Sequence, residues 1–133
     1  VTAVGGAEPV LDIATAAKIA AHAPGRGVLI VGSGNIVHNL RQMQRGATGN
    51  QAFDWALEFD QTIAGQVQQG QLDALQNFQK LGSLATMAHP TYEHFLPLLY
   101  AAGAVAPGEQ PEFFNTSFQL ASISMRSMVW GGR

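Results

Sequence analysis

The chain contains no cysteine. Disulfides and thiolate chemistry are therefore excluded, a bound metal would have to use nitrogen and oxygen donors, and a cytoplasmic setting is expected. Charge is scarce as well. Only 12% of residues are Asp, Glu, Lys or Arg, about half the ~25% of an ordinary soluble domain. So few charges predict that part of the surface faces another chain or a further domain. The net charge is −2 and no basic stripe is present, which argues against a nucleic-acid partner. No apolar run approaches the ~18 residues of a membrane-spanning helix. The first residues lack the basic stretch and apolar core of an export signal. The sequence begins with Val1 rather than Met, so a processed chain or a fragment is one expectation.

Several catalytic signatures are missing too. No Gly-Lys-Ser or Gly-Lys-Thr occurs, so there is no P-loop. Ser33 lies between Gly32 and Gly34, but Val31 and Asn35 stand where a nucleophile elbow needs glycine. Gly32-Ser33-Gly34 begins like a dinucleotide loop, yet the third glycine position is Val37. Asp54 lies at a suitable distance, but in a helix-like stretch.

What is present is organised around residues 28–40, VLIVGSGNIVHNL. The apolar run 28–31, closed by glycines, reads as a strand buried on both faces. His38 follows four residues after Gly34, at the carboxyl edge where open α/β sheets bind ligands. The fold class expected is α/β: one domain over residues 1–133, with a central mixed sheet flanked by helices. That sheet would contain residues 28–31 and a C-terminal strand.

Elsewhere the spacing predicts helices over 13–22, capped by Asp12, a short one over 36–43, and the longest over 51–67. In that long helix Phe53, Leu57, Ile63, Ala64 and Val67 form the apolar side, and Asp54, Glu58 and Asp60 a solvated face. Leu72, Leu75 and Phe78 recur every third residue, predicting a helix to Leu81. Residues 82–89 read as a linker. A helix over 91–102 would bury Phe95, Leu96, Leu98 and Leu99 and be kinked by Pro97. After the loop 106–111, the alternation in 120–130 predicts a strand with one wetter face.

Four histidines carry the available chemistry. His22 closes its helix and reads as structural. His89 reads as a loop residue. His94 falls in a first helical turn and can point into a cleft. His89 and His94 are five residues apart, so they do not form the i, i+4 pair of a HExxH site.

Three blocks in order then resemble a known family. Val31-Gly32-Ser33-Gly34-Asn35-Ile36-Val37-His38-Asn39-Leu40-Arg41 resembles the signature of class III extradiol ring-cleavage dioxygenases, in the branch that opens DOPA at the 4,5 bond. His89-Pro90-Thr91-Tyr92-Glu93-His94-Phe95-Leu96-Pro97-Leu98-Leu99 is similar to a second block, and Ser122-Ile123-Ser124-Met125-Arg126-Ser127 to the last strand. Residues 27–131 resemble the C-terminal half of the family, and 1–26 match only loosely. The N-terminal half of full members brings two further metal-ligating histidines, on Gly-His-Gly-Ser-Pro and Ser-Ala-His-Trp motifs that do not occur here.

The resemblance implies a non-haem Fe(II) site, which Zn(II) can occupy in a purified sample, acting on a catechol and O2. It places His94 as a metal ligand. It gives His38 a double assignment, as acid–base group and as possible ligand. It also implies that a partner chain or an N-terminal half completes the site. The alternative from another class is a non-catalytic subunit or binding module of the same fold with an incomplete metal site.

Overall fold

The computed structural model describes residue 27 and residues 29–131. The helix expected over 13–22, and His22 with it, lies outside these residues. The core is built on helix α1, Asp54–Gln68. Ala56, Phe59, Asp60, Ile63, Ala64 and Val67 recur at three- and four-residue steps and are buried, so one stripe of the helix faces inward. Asp54 in the first turn suits the positive end of the helix. Gly70, with φ +66°, takes the left-handed backbone that ends this segment.

The buried stripe differs from the expected one. Leu57 is exposed and Asp60 is buried. Phe59 was absent from the expected apolar side, yet it is fully buried beside Ile63 in the core. Burial of one such side chain is worth roughly 1.5–3 kcal/mol.

Short elements pack on α1. The helix expected over 72–81 divides at Asn77 into α2, Leu72–Gln76, and a 3-10 turn, Phe78–Leu81. Residues 82–89, expected as a linker, contain helix α3, Ser83–Ala88. It is too short to show periodicity in sequence, and it buries only Ala85 and Ala88, one turn apart. Helix α4 is Leu96–Gly103. Pro97 sits in its first turn, where no backbone hydrogen bond is lost, so it starts the helix instead of kinking it. Of residues 36–43 only Leu40–Gln42 are helical, as a 3-10 turn.

Strand structure is sparse. β1 (Glu112–Phe114) pairs antiparallel with β4 (Ser127–Val129), with Phe113 opposite Met128. β2 (Phe118–Gln119) pairs antiparallel with β3 (Ile123–Ser124). The single strand expected over 120–130 is thus broken: Leu120 and Ala121 turn through positive φ, and the chain changes ribbon between β3 and β4.

The central sheet is not shown. Residues 29–35 carry no strand pairing among the described residues, and Leu29 and Val31 are 81% and 73% exposed. An apolar run becomes a buried strand only when neighbours cover its edges and faces, and none of the described elements does so. The fold shown is a mixture of helices and two small antiparallel ribbons. Among the described residues no helix is long and apolar enough to cross a membrane.

Candidate functional site

The backbone around His38 is held from both sides. On one side His38 bridges Ile123 of β3, the Ser124 N–H donates to the Val37 carbonyl (3.0 Å), and the Asn39 N–H donates to the Ser122 carbonyl (3.2 Å). On the other, the His38 N–H donates to the Ala88 carbonyl at the end of α3 (3.0 Å). Ile36 and Val37 are buried, while His38 keeps part of its surface in solvent.

Two asparagines lock this segment. Asn39 accepts from the N–H groups of Arg41 and Gln42 (3.0 and 3.2 Å) and donates to the Met87 carbonyl (2.7 Å). It therefore caps the 3-10 turn and ties it to α3. Asn35 donates through its side chain to the Ser124 carbonyl (2.9 Å) and through its N–H to the His94 carbonyl (2.8 Å). Neither asparagine is a candidate catalytic residue in the sequence. Their signal was a pair of amides framing the apolar Ile36-Val37 step.

The glycine turn before Asn35 explains how His94 reaches the same place. A Cβ on Gly32 would lie 2.6 Å from the Pro97 carbonyl oxygen, and one on Gly34 would run into the His94 carbonyl oxygen. The glycines let two backbones touch. The His38 and His94 rings stack as a result, with centroids 3.6 Å apart and planes 19° from parallel. The two candidate residues, 56 positions apart in the chain, are thus brought together.

Burial pushes the His38 imidazole below its usual pKa, the neighbouring His94 pushes the same way, and the Glu93 carboxylate opposes them. Glu93 lies 4.0 Å from the His94 Nε2. Its own backbone N–H and the Thr91 hydroxyl (2.8 Å) hold its carboxyl below the usual range. The His94 side chain is 39% exposed and lines an open groove of about 820 Å³, together with Leu29, Val31, Pro97, Leu98 and Arg126.

His89 follows α3 as its cap residue, outside the helix as expected, yet it is not on the surface: it is 1% exposed and places Nε2 2.5 Å from the Ile36 carbonyl oxygen. Burial pushes its pKa down to about 4, so it is neutral at neutral pH. Asp60 is not on a solvated face. It is 1% exposed and accepts from the Arg126 Nε and Nη2 (3.0 and 2.7 Å to Oδ2) and from the Ser124 hydroxyl (2.5 Å to Oδ1). The charges on α1 looked alike in sequence, and only Asp60 falls on the inward stripe.

His38 and His94 are nitrogen donors of the kind that iron and zinc accept. Among the described residues no group of three His, Asp or Glu side chains converges as a metal site would require. The pair therefore fits a metal as part of a donor set.

Comparison with known proteins gives the family. Residues 14–130 match the family model described as the catalytic LigB subunit of aromatic ring-opening dioxygenase. A 4,5-DOPA dioxygenase extradiol of Portulaca grandiflora is 36% identical over 104 residues, covering 77% of this chain and 38% of the relative. The protein of that name from Escherichia coli K12 is 33% identical over 108 residues, covering 79% and 39%. The chain thus spans little more than a third of the length of these curated relatives. The crystal structure of an uncharacterized protein from Escherichia coli K12 superposes with a TM-score of 0.76 at 29% identity, covering 87% of this chain and 48% of that one. With most of its length matched, the chain belongs to the LigB family of aromatic ring-opening, class III extradiol dioxygenases.

Proposed function

We propose that this chain carries part of the active site of a non-haem Fe(II)-dependent extradiol dioxygenase, which opens the ring of a catechol such as DOPA with O2. The observation that supports it most is the contact between the His38 and His94 rings at the edge of an open groove. In this reading His94, whose side chain is 39% exposed on the groove, is a metal ligand. His38 serves beside it as the acid–base group, with a second role as ligand. The remaining donors would come from outside the described residues, in this chain or a partner.

Iron bound by these imidazoles would supply Lewis acidity toward the catechol and a redox partner for O2. The protein side chains supply the rest. His38 is held neutral at neutral pH by burial and by His94, so the ring nitrogen that carries no hydrogen can accept a catechol hydroxyl proton and later return it. The backbone bonds from Ala88, Ser122 and Ser124 fix where that nitrogen sits. Leu29, Val31, Pro97 and Leu98 give the groove an apolar wall against which a planar ring can lie.

The test uses protein purified from its own host, so that any partner chain is retained. It is loaded with Fe(II) and mixed with DOPA in air. A yellow ring-opened product, absent when Zn(II) replaces Fe(II), supports the proposal. Stoichiometric iron binding with no product from DOPA or simpler catechols would contradict it and favour a non-catalytic subunit of the same fold.

A further inference from the structure

We infer that His89 is a positioning residue: through one hydrogen bond and one aromatic contact it sets the segment bearing His38 against the segment bearing His94. This rests on the reading of those two residues as the site, and it gives a task to a third histidine that the chemistry itself does not use.

The geometry forms a closed circuit. The His89 Nε2 lies 2.5 Å from the Ile36 carbonyl, two residues before His38. A carbonyl only accepts, so Nε2 carries the hydrogen and the tautomer is fixed. The preceding residue, Ala88, takes the N–H of His38 (3.0 Å), so residues 88 and 89 grip the chain at both ends of the Ile36–His38 step. The other side of the circuit is aromatic. The His89 ring packs against Phe95 (5.2 Å between centroids), with Phe59 at 5.7 Å and Phe78 at 6.5 Å. Phe95 is fully buried and adjoins His94. The circuit closes where the His94 carbonyl takes the Asn35 N–H, one residue from Ile36.

A purely apolar residue would fill the same space better than an imidazole in a cage of three phenylalanines. Among the described residues the His89 Nδ1 is buried without a partner, so the ring bears a polar cost there, and the Ile36 carbonyl is its one polar anchor. That bond is what the imidazole adds over a hydrocarbon.

The test compares His89→Gln with His89→Met in the metal-free chain. The two side chains are of like length, and only Gln keeps a donor for the Ile36 carbonyl. The readout is the nuclear Overhauser effect between the ring protons of His38 and His94 in histidine-labelled protein. Circular dichroism and the amide spectrum of α1 report folding. The expected result is that Gln keeps most of the cross-peak and Met loses it several-fold with the fold intact. A Met variant with a wild-type cross-peak overturns the inference, as does a Gln variant that loses the cross-peak or does not fold. Should Met alone fail to fold, Gln decides: retention supports the inference. Neither metal nor turnover enters this experiment, so its failure leaves the oxygenase proposal standing, and an inactive enzyme with an intact cross-peak would do the reverse.

Discussion

His89 and His94 come from the same short block and meet opposite fates. His89 is sealed among Phe59, Phe78 and Phe95, with its pKa pushed to about 4. His94 stands on the groove with a side chain 39% exposed, stacked on His38. The residue type is identical, so environment alone divides the roles. An imidazole in a dry aromatic cage stays neutral and serves as a fixed donor. One at a groove can meet a ligand. The contrast extends to the interior as a whole, where Asp60, Ser124 and Arg126 hold β3 and β4 to α1, while the groove face bears exposed apolar side chains.

Replacing His94 on the groove, or His38 stacked on it, should affect chemistry and leave the fold alone. His94→Ala should abolish metal retention, measured by elemental analysis, with a stability change within about 0.5 kcal/mol, the usual range for a surface site. His38→Ala should keep much of the metal and lower ring opening by about 10²- to 10⁴-fold, the usual contribution of general acid–base catalysis. If both variants turned over at the wild-type rate, the division between the two histidine environments would lose its functional meaning.

The interior should respond the opposite way. Asp60→Ala leaves the Arg126 guanidinium, itself only 16% exposed, without its partner. The expected cost is about 3–5 kcal/mol in urea unfolding, as for a broken buried pair. A loss well under 1 kcal/mol would show that the pair is a surface feature.

Acid should act through His89. Its pKa moves from 6.5 in the unfolded chain to about 4 in the fold. Between those values the unfolded chain binds a proton that the fold refuses, so stability falls as pH drops. At 1.36 kcal/mol per unit the loss amounts to about 3 kcal/mol by pH 4, with none above 6.5. His38, lowered more weakly, adds in the same direction. The pH profile of urea unfolding measures the total, and His89→Met should flatten most of it.

The smallest effect is expected at the glycine turn. Gly34→Ala forces a methyl group against the His94 carbonyl, an overpacking worth about 1–3 kcal/mol. A thermal melt gives the cost, and weakened metal binding would show that the two backbones had moved apart.

More of the candidate site was legible in the sequence than of the architecture. His38 stood out by its glycine turn and His94 by the block that resembles the family; His94 lies in the turn before α4 and not in its first helical turn, and the structure brings the two rings together. The long helix was legible because Ile63, Ala64 and Val67 repeat at helical spacing over enough turns to show. Helix α3 was hidden because six residues with alanines at its contact points leave no pattern. The burial of Asp60 and of His89 was hidden for a shared reason. A polar residue gives no sign in sequence of the partner that allows its burial, and Arg126 and Ile36 lie 66 and 53 positions away. The strand expected over 28–31 needs neighbours that the described residues do not supply, so local composition gave the apolar character of Leu29 and Val31 without their exposure.

The most direct measurement is a Zn(II) titration of histidine-labelled protein followed through the ring resonances. The account predicts that His38 and His94 shift together and saturate with a single ion, while the His89 ring keeps its place. Separate saturation of His38 and His94, or a response at His89 with none at His94, would contradict it.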